Sequence, residues 1–300
     1  MKKRVVLALA ILLTVGSFAG CGLDKEEVQA HYGIMIAAKA EPAHLDEIVD
    51  FLDEYVSQMG EENASHMVAA YEEYLYQYVT NGADKVFLSS LLTYYDKDKK
   101  KVDEDKLKGS EVEETYYQLL DACAKPVFYE EALSLRVDYE ALLERYGEYL
   151  EEGLKALYTL SAEAVAEPML ENATLMIGWD EVLSRALEAE TLLKEYGGDH
   201  LVQSDALRLF KLYLSTLMMG TANTPVFDYT TKAFREDVKQ AEQDFMKQHP
   251  DTVLTEMLKE YDAYLESIGY QLDYNDSTMG KAFFDTCDYI LSQAEKKVME

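Results

Sequence analysis

Basic residues are scarce in this chain: 28 Lys plus Arg stand against 57 Asp plus Glu in 300 residues, a formal net charge of −29 at pH 7. Nucleic-acid binding begins with a basic face that neutralises phosphates, so the imbalance excludes nucleic acid as a default partner. Histidine occurs five times and cysteine three times, which leaves few sets of converging catalytic or metal-ligating side chains. Long apolar runs are missing too, except for residues 5–18, which are too short to cross a bilayer comfortably. Alternating strand-like runs separated by turn pairs are absent. So are a Gly-rich phosphate loop, a Gly-x-Ser-x-Gly elbow and a His-Glu-x-x-His pair. A hydrophobic content of 48% excludes wholesale disorder and is ample for a packed core.

The N-terminus reads as an address. Residues 1–4 are basic, residues 5–18 are apolar apart from Thr14, Gly16 and Ser17, and Phe18-Ala19-Gly20-Cys21 closes the segment. This is the layout of a secretory signal peptide over residues 1–20. The closing tetrapeptide resembles a bacterial lipoprotein lipobox. That resemblance implies transfer of a diacylglyceryl group, carrying palmitate-type chains, to the Cys21 thiol and then cleavage between Gly20 and Cys21. Two or more acyl chains anchor stably where one does not, so the expected contact with the membrane is through the lipid on Cys21. Residues 21–28 would form a short tether. Cleavage removes Lys2, Lys3 and Arg4 and no acid, leaving 25 basic against 57 acidic residues and a net charge near −32. Such a charge disfavours lying flat on anionic lipid. The expected location is the extracytoplasmic face of a bacterial cell membrane, or the outer membrane where the host has one.

Most of the remaining chain has helical periodicity. Ala132, Leu135, Tyr139, Leu142, Tyr146 and Tyr149 advance by threes and fours, as do Leu207, Phe210, Leu214 and Leu217, and Phe284, Cys287, Leu291, Ala294 and Val298. These one-face stripes belong to amphipathic helices that pack on each other. Ser110 with Glu113, Ser204-Asp205 and Ser277 supply start signals. The fold class expected is all-α, a multi-helix bundle or irregular array of helical hairpins with about ten or eleven helices. Residues 29–300 are expected to form one domain, and Gly197-Gly198-Asp199 is the sharpest turn at which it would subdivide.

Pro42, Pro126, Pro168 and Pro225 each follow a run of small residues, and Lys85 occupies the same frame. The spacing of about 42 residues suits a repeated helix pair. The alternative is that proline merely marks helix starts.

Within residues 91–133, Tyr94-Tyr95-Asp96-Lys97-Asp98-Lys99-Lys100-Lys101, then Asp103, Lys108-Gly109-Ser110 and a Tyr-rich helix resemble YiiG-like bacterial lipoproteins. A long helix over residues 174–196 and the lipobox agree with that resemblance. It implies an extracytoplasmic all-α lipoprotein and carries over no catalytic or binding residue.

Candidate chemistry is sparse. Glu41, His44 and Glu47 sit one turn apart on one helix face, a spacing that can bind a metal. They also resemble the Gly-x-His-x-x-Glu motif of imelysin-type helical envelope proteins, with Pro42 at the glycine position. His31, His66, His200 and His249 are scattered and read as ordinary helix or turn residues. Asp96, Asp98 and Asp103 fail the calcium-loop spacing and read as a solvated turn. Cys123 and Cys287 lie on apolar helix faces and read as two buried thiols, although export would permit a disulfide between them. Tyrosine is the compositional excess, at 23 residues. Tyr71, Tyr74 and Tyr78 share a helix face, which suits either a ligand-binding groove or the boundary layer of a bundle. Paired carboxylates such as Asp180 with Glu181 or Glu144 with Glu148 would serve a glycan- or peptide-cleaving enzyme. With no catalytic set and no cofactor signal, the leading expectation is a non-enzymatic envelope protein that binds a ligand or protein partner.

Overall fold

In the computed structural model of the chain, residues 24–37, 42–129 and 131–300 are described. The expected signal peptide, the lipobox-like tetrapeptide with Cys21, part of the expected tether and Glu41 lie outside them. The described chain folds into thirteen α-helices and three two-stranded antiparallel ladders. In order these are α1 (Lys25–Ile36), α2 (Pro42–Met59), α3 (Glu61–Gln77), α4 (Lys85–Leu91), β1 (Tyr95–Asp96), β2 (Lys101–Val102), α5 (Glu104–Leu107) and α6 (Glu113–Asp121). There follow β3 (Ala124–Tyr129), β4 (Ala132–Val137), α7 (Tyr139–Tyr146), α8 (Glu152–Ala166), β5 (Leu170–Glu171) and β6 (Thr174–Leu175). The last stretch holds α9 (Trp179–Tyr196), α10 (His200–Met219), α11 (Glu236–Gln248), α12 (Val253–Ser267) and α13 (Ser277–Val298). The all-α reading holds, with two of the extra helices, α4 and α5, being short. No helix among the described residues is long and apolar enough to cross a membrane.

Part of the acidic excess has a structural use. Asp24, Asp84, Asp103, Asp138, Asp199 and Asp276 each stand just before a helix, and each side chain accepts a backbone N–H of the first turn. A carboxylate there satisfies an otherwise unpaired donor and meets the positive end of the helix dipole. Two start signals read from sequence are corrected. Ser204 and Asp205 lie inside α10, which Asp199 caps. Ser110 Oγ is buried without a hydrogen-bond partner, and the Glu113 carboxylate accepts from the Gly109 N–H (2.6 Å). Ser277 is the first residue of α13, and Asp276 is its cap.

The clearest correction concerns residues 124–137. The helical stripe through Ala132 and Leu135 is a hairpin, with Pro126 opposite Leu135 and Phe128 opposite Leu133. Leu133, Leu135 and Val137 are buried and alternate with more exposed neighbours, the period of a strand. Pro126 is tolerated because a two-stranded ladder is all edge. Pro168 follows the end of α8, and Pro225 sits in a bridge with Gly220. Of the five positions in the proline frame, only Pro42 and Lys85 open helices, so the spacing does not mark a repeated helix pair. Residues 174–175 are likewise strand, and the long helix begins at Trp179, whose indole is buried.

The buried apolar side chains from Val28 to Val298 join into one core. The helices α1, α2 and α3 pack together at one end, while α9 contacts α8, α10, α11, α12 and α13 at the other. The turn at Gly197 therefore connects two closely packed helices. On α13 the core face is Phe283, Cys287, Ile290, Ala294 and Val298, with Phe284 exposed. Cys123 and Cys287 are both buried and free, so the disulfide does not form, and burial pushes each thiol up to about 12. At the end of α10, Gly220 has φ of +67°, and a Cβ there would stand 2.6 Å from the Thr224 carbonyl. Only glycine fits that approach.

Glu242 on α11 is buried, and its Oε1 has no hydrogen-bond partner. Burial, with the Asp262 carboxylate second, raises its proton affinity well above the usual glutamate range. Below that range the folded and unfolded chains both hold the proton. As pH rises the unfolded chain ionises first, so stability falls with pH until the folded carboxyl also ionises. Glu242→Met should therefore raise neutral-pH stability by about 1–3 kcal/mol and flatten the decline in Tm as pH rises above the ordinary glutamate range. A variant less stable than the parent at pH 7 would refute this account.

Candidate functional site

A cleft of about 310 Å³ opens where α3, α7, α8 and α10 meet. Its apolar wall includes Leu154, Leu157 and Leu201, and its polar groups include Glu72, Glu73, Tyr139, Tyr158 and Asp205. Tyr139 is fixed by the junction of β4 and α7: Asp138 caps α7 and receives the Lys125 ammonium at 2.9 Å. From that position the Tyr139 hydroxyl donates to Glu72 Oε1 at 2.6 Å. Tyr158, from the middle of α8, packs its ring 5.3 Å from that of Tyr139. It is 3% exposed, and its hydroxyl has no hydrogen-bond partner. A buried hydroxyl left in that condition costs about 1–3 kcal/mol.

The electrostatics follow from this arrangement. Burial raises the proton affinity of Glu72; the Tyr139 hydrogen bond opposes it, and Asp205 and Glu73 add to it. Burial and the neighbouring Glu72 carboxylate push the Tyr139 hydroxyl far above its usual range. Tyr158 is raised in the same direction, chiefly by burial. At the mouth, Arg208 pairs with Asp205 at 3.1 Å, an exposed pair whose net contribution is small. Arg208 also offsets Glu72 weakly, and with Glu72, Glu73 and Asp205 against this one cation the cleft lining carries an acidic excess beside its aromatic walls.

The residues singled out from sequence are distributed differently. Tyr71, Tyr74 and Tyr78 are all buried, so they belong to the core and line no groove. The Tyr71 hydroxyl donates to the Ala122 carbonyl at 2.7 Å. Tyr76, which points away from that stripe, is the α3 tyrosine that lines the cleft. His44 is half-buried on the first turn of α2 and Glu47 is exposed, while Glu41 lies outside the described residues. Among the described residues no three His, Cys, Asp or Glu side chains converge as metal ligands do. Asp180, Glu144 and Glu148 are exposed, Glu181 holds the buried Arg185 at 2.8 Å, and none of the four lines the cleft. Asp96 accepts the N–H groups of Asp98 and Lys99 within a charged turn. His31 stacks on Phe51 and His249 lies tilted against Phe245, whereas His66 and His200 meet each other.

Comparison with protein-family models, curated proteins and solved structures finds no match, so function is read from the residues alone.

Proposed function

We propose that this chain is a non-enzymatic, lipid-anchored envelope protein of the YiiG-like lipoprotein kind, held outside the cytoplasm through Cys21. In this reading it binds a small ligand in the cleft between α3, α7, α8 and α10. The lipobox after a short apolar segment supports the anchoring. The observation that carries the binding is the cleft itself, where the Tyr139–Glu72 pair, Glu73 and Asp205 face an apolar wall backed by the buried, unpartnered Tyr158 hydroxyl. The carboxylates and the faces of Tyr76, Tyr139 and Tyr158 favour a ligand with an ammonium head and an apolar body.

Thermal unfolding of the purified chain with small amines, sugars and short peptides tests this. An amine at 100 times its dissociation constant adds about 2.7 kcal/mol. Tyr158→Phe removes the unsatisfied hydroxyl, so the free protein should gain about 1 kcal/mol while the amine-induced shift shrinks. A Phe variant that is less stable, or that keeps the full shift, would overturn the reading.

A further inference from the structure

His66 on α3 and His200 on α10 are 134 positions apart in sequence, yet their Nε2 atoms face each other at 3.2 Å. The ring centroids are 5.0 Å apart. His66 Nδ1 lies 2.8 Å from the Glu62 carbonyl oxygen. A carbonyl only accepts, so Nδ1 carries the hydrogen there, and in the neutral ring Nε2 presents its lone pair to His200. His200 Nδ1 faces the Asp199 carboxylate at 3.8 Å. His66 thus has the outer arrangement of a metal-ligating imidazole, its far nitrogen hydrogen-bonded to a carbonyl and its near nitrogen presenting a lone pair; the Asp199 carboxylate stands near His200 beyond hydrogen-bond distance.

The spacing agrees. Two imidazole nitrogens bound at about 2.0–2.1 Å to one tetrahedral ion stand about 3.3–3.4 Å apart, with ring centroids about 5 Å apart. At a right angle, in a square or octahedral field, the nitrogens stand about 2.9 Å apart. The observed 3.2 Å falls between these limits. Both rings are largely exposed, leaving room for water or a further ligand to complete the coordination. With mature charge near −32, the surrounding field favours cations.

We propose that His66 and His200 form a two-imidazole site for a divalent late transition ion of the zinc, nickel or copper kind, clipping α3 to α10. The ions that prefer imidazole are these, whereas magnesium and calcium prefer oxygen. The site is independent of Tyr158 and of whatever occupies the cleft.

Calorimetric titration of the purified chain with Zn²⁺ tests it, with Mg²⁺ as control. The expected result is saturable binding of one Zn²⁺ that Mg²⁺ does not reproduce. His66→Ala and His200→Ala should each weaken Zn²⁺ binding by about tenfold or more, at least the loss caused by removing a supporting group. His44→Ala should leave it unchanged. Both histidines are exposed, and unchanged circular dichroism shows that the variants fold; His200→Gln gives a second variant at that position. Zn²⁺ binding that survives in the His66→Ala, His200→Ala double variant would overturn the proposal, as would a chain with no saturable Zn²⁺ binding.

Discussion

Glu190→Ala should lower the unfolding free energy by about 3–5 kcal/mol. The side chain is buried on α9, yet its oxygens accept the N–H groups of Val253 (2.8 Å) and Leu254 (2.7 Å), the first two residues of α12. Lys194 supplies the counter-charge from the next turn of α9. The local cap, Thr252, reaches only the N–H of Thr255. A carboxylate from a different helix therefore satisfies the donors that α12 leaves open and meets the positive end of its dipole. Alanine removes two charge-assisted bonds at once and strands buried N–H groups, each costing about 1–3 kcal/mol. Glu190→Gln keeps one acceptor oxygen and should lose less. Urea titration measures both. A midpoint for Glu190→Ala within about 0.5 kcal/mol of the parent, the range of ordinary surface changes, would show that the cap carries no weight.

Tyr71→Ala should cost a similar amount, about 3–5 kcal/mol, as a large aromatic removed from a core without access to water. The ring is fully buried, and its hydroxyl ends on the Ala122 carbonyl. Tyr71→Phe keeps the ring and should lose only about 1 kcal/mol. The pair separates two roles. If Tyr71 packs the core, the loss appears in denaturant midpoints of the free protein. A Tyr71→Ala chain with parental stability and altered ligand response would restore the groove reading.

The same stripe shows what the sequence carries and what it hides. Tyr71 and Tyr74 on α3 and Tyr78 just past its end mark a buried face, because an i, i+3, i+7 pattern reports burial and not the kind of neighbour. Residues 132–137 were misread because Leu135 belongs equally to a period of three to four and to the alternation of Leu133, Leu135 and Val137. The turn before Ala132 has no glycine or asparagine to announce a hairpin. The site was not legible for a different reason. Glu72, Tyr139, Tyr158 and Asp205 come from four helices, and His66 meets His200 only because the tertiary fold brings the start of α10 to α3. No local spacing encodes such convergence.

The buried tyrosine hydroxyls have a further meaning for the order in which the chain assembles. Tyr32 ends on the Met67 carbonyl, Tyr71 on that of Ala122 and Tyr261 on that of Met218, spans of 35, 51 and 43 residues. The entropy of closing a loop grows with its length, so each of these locks can shut once a short window of chain is available. A polypeptide delivered one end first can fasten itself in successive segments. The contact between His66 and His200, 134 residues apart, must wait until α10 exists. Both candidate binding surfaces therefore wait for α10, and a chain truncated before residue 200 would lack His200, Leu201, Asp205 and Arg208 and be blind at its site.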